Sequence, residues 1–468
     1  MNENRYSPEQ PVIGERGVER PLLELPTLGM LALAALSVCV GLSLLFLPWY
    51  IAVSIFIGGA LCLVIFFNLF TAIIVVLVGA FFHPSYWLPQ LAVIRPAMTL
   101  SILVLFVWLI HTVIYQDFKI VKIPQNYFLL GYFAVALLTS FKLPDASLPF
   151  FFELAPKAII IYFAILHIVK TRRQMIILTW ALGVITVLLS LVGLYQYVHG
   201  IGYQEGAMLR LKGLSYDPNY FAFELIVPLP VILSLFFYYR HIGIKVVLAL
   251  FALCISGGIA LTYSRAGFVM LICVLLFTVG GRIRKRSNIV VSGLLIALFF
   301  AALACFIPAA YWDRIQSILN LDDPAINERI VAAQTGIEMI LKNPLTGVGW
   351  GLSHWEFFKT SLTSGTLPHK LLNAHNTFIL TAAEMGVAGL AFFLLLFKAS
   401  FRCLKEAQKR FRAGNDLLLA DIAAGFYVSL IIYLVGGMFI SYNQLLQFWL
   451  IVPISAVLHQ LAKQDSGK

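Results

Sequence analysis

Charge is scarce in this chain. Only 12% of its 468 residues are Asp, Glu, Lys or Arg, against about a quarter in an ordinary soluble domain. Hydrophobic residues make up 60%, and mean hydropathy is +0.90. A water-soluble core of this size cannot hide so much apolar surface, so a soluble enzyme and a disordered protein are both excluded. Cysteine is sparse as well. Five of the six, Cys39, Cys62, Cys254, Cys273 and Cys305, lie in apolar runs, and Cys403 lies in a basic stretch. No pair has metal-ligand spacing, which excludes a disulfide scaffold and predicts no metal centre and no cofactor. Strand-like alternation is missing, which excludes a transmembrane β-barrel. No cleavable leader is expected: residues 1–27 are polar, and the first apolar run, 28–47, is long enough to span. The net charge of +11 is better read as basic loops held on the cytoplasmic side than as a nucleic-acid surface.

What the chain has in abundance is long apolar runs. A spanning helix needs about 20 such residues. The candidates are 28–47, 50–64, 66–82, 97–115, 127–141, 150–169, 175–197, 219–239, 246–263, 266–280, 289–309, 376–397, 419–440 and 444–462. The second and third are one uncharged stretch, divided at Asn68. The expected fold is therefore all-α, a polytopic transmembrane bundle of about 12–14 spans with one large periplasmic loop containing amphipathic helices. Its organisation is a cytoplasmic tail over 1–27, a bundle over 28–309, an external segment over 310–373, further spans over 374–462 and a cytoplasmic tail over 463–468.

Placing the N-terminus in the cytoplasm and alternating puts the basic clusters on one side. These are Lys170/Arg172/Arg173, Arg282/Arg284/Lys285/Arg286 and the group from Lys398 to Arg412. That side holds about two-thirds of the 33 Lys and Arg, the pattern that sets orientation in membranes. Three connections fall on the opposite side: 199–219, the tight turn at Ser264-Arg265, and 311–373. The last contains a run, 326–341, with apolar residues at 326, 330, 337 and 341, so one helical face is greasy. Pro344 and the Gly347-Val-Gly-Trp-Gly351 cluster end it. The segment reads as a lid on the outer surface of the bundle.

Chemistry-bearing residues gather in those three connections. Arg265, in Thr262-Tyr-Ser-Arg-Ala-Gly267, sits between two spans with almost no loop. There it either snorkels to anchor a helix end or presents a fixed cation to a polar cavity. Arg210 and Lys212 precede Asp217-Pro-Asn219, which is turn chemistry followed by a helix start, with Asn219 a candidate cap. His375, in Asn373-Ala-His-Asn-Thr377, alone of the nine histidines begins a span on the face that carries Arg210 and Arg265. His354 and His369 are ordinary loop residues, and Asp322-Asp323 before Pro324 reads as a solvated turn. Glu384, nine residues past His375, lies about 180° round a continuous helix and makes a poor partner for it. Two arginines and a histidine on one membrane face suit a diphosphate: the guanidinium fork stays charged and donates two hydrogen bonds. An imidazole takes protons near neutral pH.

These residues, in order, resemble the O-antigen ligase and polymerase superfamily. The resemblance rests on Arg210-x-x-Gly with Asp-Pro-Asn219, then Ser264-Arg265, then Asn343-Pro-Leu-Thr-Gly-Val-Gly349, then Ala374-His375-Asn376 with Ala383-Glu-Met-Gly386 and Gly389-Leu390. It covers residues 210–397; the first 200 residues match in hydropathy alone. It implies a multi-pass glycosyltransferase of the bacterial inner membrane, with both termini cytoplasmic and the active site on the periplasmic face. The implied donor is an undecaprenyl-diphosphate-linked glycan, and the acceptor a glycolipid, glycan or protein hydroxyl. Transfer would be inverting and metal-independent. By the same resemblance His375 is the general base, Arg210 and Arg265 hold the diphosphate with Lys212 assisting, and Asn219, Asn376, Gly347 and Gly349 support the site. A ligase, a polymerase and a protein O-oligosaccharyltransferase share this chemistry. A lipid-linked oligosaccharide transporter is the alternative of another class; Glu153 and Lys157 within one span favour it, and the lack of an internal repeat disfavours it.

Overall fold

The structure, a computed structural model, describes residues 37–38, 58–60, 62–63, 65–87, 95–114, 121–206, 208–280, 324–351, 374–441 and 446–465. The chain divides into two compact units, Met1–Ala72 and Ile73–Lys468. Most of the expected spans 28–47 and 50–64, all of 289–309, and Asp322, Asp323, His354 and His369 lie outside the described residues.

The described chain is a helical membrane protein. Its helices are α1 (Leu69–Phe82), α2 (Pro96–Ile114), α3 (Pro124–Ser140), α4 (Pro144–Ile168) and α5 (Arg172–Val198). A two-stranded hairpin, β1 (Tyr203–Glu205) and β2 (Met208–Arg210), precedes α6 (Pro218–Ile226), α7 (Leu229–Tyr238), α8 (Ile242–Leu261) and α9 (Arg265–Gly280). After the undescribed stretch come α10 (Pro324–Lys342), α11 (Thr377–Ala413), α12 (Leu417–Gly437) and α13 (Leu446–Asp465). Eight stretches among the described residues are long and apolar enough to cross a membrane. The break expected at Asn68 is present: its side-chain Oδ1 accepts from Thr71 N–H at 3.0 Å, capping α1.

The span expected over 219–239 is present as Pro218–Tyr238, interrupted at Val227-Pro228 between α6 and α7, because proline donates no hydrogen bond. Ser429 of α12 donates to the Val227 carbonyl at 2.6 Å, replacing the lost partner inside the apolar bundle. One element differs from the expected spans. Residues 398–416, expected as a connection, instead continue α11 to Ala413. Apolar-run length misses this stretch because only one face is apolar. Ser400, Cys403, Leu404, Ala407 and Phe411 are buried at helical spacing, while Arg402 pairs with Glu406 at 2.8 Å on the exposed side.

The core is aromatic and lies between α3, α11, α12 and α13. Phe448 sits 4.7 Å from Phe397, 5.0 Å from Phe393 and 5.1 Å from Tyr433, ring centre to ring centre, and Trp449 sits 4.9 Å from Phe133. Such pairs hold helices where lipid cannot drive their association.

Hydrogen bonds across the helix ends define two faces. At one, Thr377 Oγ1 donates to Ile440 O at 2.8 Å, Asn376 Nδ2 to Met438 O at 3.3 Å, and Tyr220 OH to Ser441 O at 3.2 Å. These join the starts of α6 and α11 to the end of α12. At the other, Arg172 holds Asp416 by two bonds, at 2.6 and 3.1 Å, joining the start of α5 to the turn between α11 and α12.

α10 has two unlike faces. Ala332, Thr335 and Met339 are buried, and Ala332 and Met339 share a cluster with Leu380 and Ala383 of α11. The greasy stripe noted in the sequence faces the other way: Ile330, Ile337 and Leu341 are exposed. A helix packed on protein through Ala332, Thr335 and Met339, with isoleucine and leucine outermost, suits a bilayer surface.

Candidate active site

Four segments build the first face. The hairpin delivers Arg210, which is 3% exposed. Its Nε donates to Thr262 O at 2.8 Å, Nη1 meets Glu205 at 2.7 Å, and Nη2 donates to Asn219 Oδ1 at 3.3 Å. The guanidinium therefore ties the hairpin to the α8–α9 turn and to the head of α6. A further bond runs from Leu211 N to Leu261 O at 2.9 Å. The cap of α6 is Asp217, not Asn219: Asp217 Oδ1 accepts from Asn219 N at 2.7 Å. Proline at the first helical position leaves the preceding residue extended, as a cap requires, so Asn219 falls inside the first turn and its side chain turns to Arg210. Lys212 makes no side-chain hydrogen bond or ion pair among the described residues and does not join this set.

The turn between α8 and α9 is as tight as expected. Ser264 Oγ accepts from Gly267 N at 3.1 Å, capping α9 and placing Arg265 in its first turn. Arg265 thus follows by three residues the carbonyl that anchors Arg210.

His375 precedes the cap of α11. Asn376 Oδ1 accepts from Phe378 N at 2.9 Å and Ile379 N at 3.0 Å, so Asn376 starts the helix and is tied to α12 as well. His375 itself is left-handed, with φ 48°, an uncommon state that surrounding structure must impose. Burial holds its imidazole down, at about 4; the nearby Arg329 guanidinium adds to this, and Asp217 pulls the other way. The imidazole is therefore neutral at pH 7 and competent to accept a proton. Arg329, on α10, is a cation that the sequence reading passed over, and Asp217 links His375 to the loop that carries Arg210. Thr262, Arg210, Asn219, Asp217, His375 and Arg329 thus form one chain of neighbours drawn from α6, the α8–α9 turn, α10 and the start of α11.

The glycine cluster serves a different purpose. Val348 N donates to Ala383 O at 2.9 Å, Gly349 N to Glu384 O at 3.0 Å, and Val387 N to Pro344 O at 2.8 Å. The loop takes over carbonyls that α11 leaves open at Gly386, where φ is 67° and ψ −171°, a region essentially reserved for glycine. A Cβ on Gly347 would sit 2.3 Å from the Glu384 backbone, and one on Gly386 would sit 2.3 Å from Leu345. The two motifs are halves of one joint. Lys142, between α3 and α4, donates to Thr346 Oγ1 at 2.7 Å and also to Gly347 O. Trp350 is fully buried, 5.5 Å from Phe151 and 5.6 Å from Phe150. The joint fixes α10 beside His375. Gly386→Ala is expected to cost about 2–5 kcal/mol, from a left-handed backbone plus overpacking. A thermal-unfolding midpoint within a degree of wild type would refute that.

Among the described residues no group of three His, Cys, Asp or Glu side chains is placed to hold a metal ion.

A polytopic helical membrane protein with arginines and a neutral histidine gathered at one helix-end face is the class that fold and geometry define. A family model described as O-antigen ligase matches residues 226–394, and over that stretch the chain is similar to that family. The match includes Arg265, Gly347, Gly349, His375 and Asn376; Arg210 and Asn219 lie before it. No curated protein matches the chain. The match supports a membrane protein like the O-antigen ligases and polymerases.

Proposed function

We propose that the protein moves a glycan from undecaprenyl diphosphate to an acceptor hydroxyl at the periplasmic face of the bacterial inner membrane. The observation that carries this reading is the half-buried, neutral His375 beside Arg329 and Asp217, linked through Asp217 and Asn219 to Arg210. The acceptor oxygen attacks the anomeric carbon of the donor's first sugar as His375 takes its proton. The bond from that carbon to the diphosphate oxygen breaks, and undecaprenyl diphosphate leaves with the electron pair. One displacement inverts the anomeric centre. Arg265 and Arg329 neutralise charge growing on the leaving group, an effect worth about 3–4 kcal/mol per well-placed donor. Arg210, already bonded to Thr262, Glu205 and Asn219, orients the hairpin and the head of α6 around the diphosphate. Lys212 has no assigned role.

Orientation follows from the basic residues. Lys170, Arg172, Arg173, Lys405, Lys409, Arg410 and Arg412 belong to the end where Arg172 meets Asp416, the end opposite His375. Lysine and arginine are retained in the cytoplasm, so His375 faces the periplasm and the apolar stripe of α10 rests on the outer leaflet.

The test is transfer by purified protein in liposomes, given undecaprenyl-diphosphate glycan and candidate acceptors in chelator without nucleotide sugar. Transfer with inversion is expected. Movement of the lipid-linked glycan across the bilayer without transfer would instead favour a transporter. Whichever acceptor is used, whether lipid A-core, a growing glycan or a protein, separates ligase, polymerase and protein glycosylation.

A further inference from the structure

A second polar enclosure lies within the bundle and shares no lining residue with the set around His375. It is a cavity of about 130 Å³, walled on its polar side by His83, Lys157 of α4, Glu224 of α6, and Gln447 and Trp449 of α13. Glu224 is seven residues, about 10 Å, along α6 from Asp217, and its Oε2 accepts from Ser215 at 2.7 Å. Ser215 belongs to the loop between Arg210 and Asp217, so the cavity and the site are joined by one short stretch of chain. Gln447 is 4% exposed and Trp449 fully buried. Among the described residues neither Gln447 Oε1 nor Trp449 Nε1 has a hydrogen-bond partner. A buried acceptor and a buried donor beside a polar cavity call for something inside it that both donates and accepts.

The lining says what. A phosphate would meet the Glu224 carboxylate, and an ammonium would meet Lys157, so neither charge alone suits the walls. A neutral group with several hydroxyls suits them: each hydroxyl donates to Glu224 or Gln447 and accepts from Lys157 or the Trp449 indole. The indole also offers an apolar face to ring C–H groups. The volume admits several waters, or one sugar ring in their place. We propose that this cavity is a sugar subsite, holding one neutral, hydroxyl-bearing ring of the donor glycan or of the acceptor while the diphosphate lies on the arginines. The assignment of the ring to a glycan rests on the transfer reading above; the binding of a sugar ring does not.

Two arms test it. In the first, protein in lipid nanodiscs is treated with a water-soluble carbodiimide and glycine ethyl ester, and modification of Glu224 is followed by mass spectrometry. Octyl glucoside below its micellar concentration should protect Glu224, octyl sulfate should not, and Gln447→Leu should abolish the protection. Equal protection by both amphiphiles, or by neither, overturns the proposal and leaves a cavity holding water or alkyl chains. In the second arm, Gln447→Leu and Lys157→Met should each raise KM about tenfold for whichever substrate carries the ring, with kcat little changed, since a site built to hydrogen-bond a hydroxyl penalises its loss. A raised donor KM assigns the ring to the donor, a raised acceptor KM to the acceptor, and a fall in kcat with both KM values unchanged rejects the subsite. Protection in the first arm with no transfer by the wild type keeps the sugar site and discards the transfer reading.

Discussion

His375→Ala should reduce transfer by about 10²–10⁴-fold, the range a positioned general base supplies, while donor binding and thermal stability persist. The expectation is specific because His375 stands outside α11, with Asn376 rather than His375 capping the helix. Removing the imidazole therefore removes no cap and no helical hydrogen bond. It also relieves burial of a group whose charged form is disfavoured. The pH profile gives the sign: the base acts when neutral, and its protonation lies near 4, below the ordinary histidine value. The rate should hold level through neutrality and fall as acid approaches that value. The profile of kcat/KM reports the free enzyme and carries this low inflection. The profile of kcat should show a higher one, because a bound diphosphate favours the imidazolium. Rates measured from pH 4 to 8 check both. A His375→Ala variant with wild-type turnover would remove the imidazole from the chemistry.

Arg265→Ala should lower kcat by about 10²–10³-fold, as losing one preorganised donor to a developing oxyanion does. Arg265→Lys should recover only part of that, because an ammonium keeps the charge and loses the planar fork. The position leaves little room for compensation: Ser264 caps α9 and Thr262 anchors Arg210, so the turn is fixed on both sides of the guanidinium's backbone. Initial rates at saturating donor, with donor binding measured separately, distinguish a weakened transition state from weakened binding. Turnover near normal in Arg265→Lys would make this arginine a helix-end anchor.

The spans were legible because membranes enforce a simple rule: long apolar runs become helices. The rule holds for α2, α5 and α8 and even for the break at Asn68. It fails where a helix leaves the apolar layer, as α11 does beyond residue 397, since only its Cys403–Leu404–Ala407–Phe411 face remains buried. The site was legible in its types and order of residues but not in its wiring. Arg210 reads from the sequence as a ligand for phosphate, yet three of its bonds are to the protein, and only folding brings Glu205, Thr262 and Asn219 around it. Arg329 sits on a flank of α10 between the packed and exposed stripes, where a lone arginine is indistinguishable from a solvated one until α10 docks on α11. Glu384 lies in the uninterrupted first part of α11, before Gly386, while His375 lies before the cap and outside the helix. Gly347 and Gly386 share that explanation: each leaves room for the backbone of the other's motif, a pairing that no local pattern announces.

The claim beneath all of this is that positions 265, 329 and 375 open to one side of the membrane, away from the basic end. Single cysteines at these positions and at 409, in a background without the six native cysteines, can be treated with a membrane-impermeant maleimide on sealed spheroplasts. The account predicts that the first three react from the outside and that position 409 reacts only after the membrane is opened. Labelling of 375 from one side and of 265 from the other would contradict it.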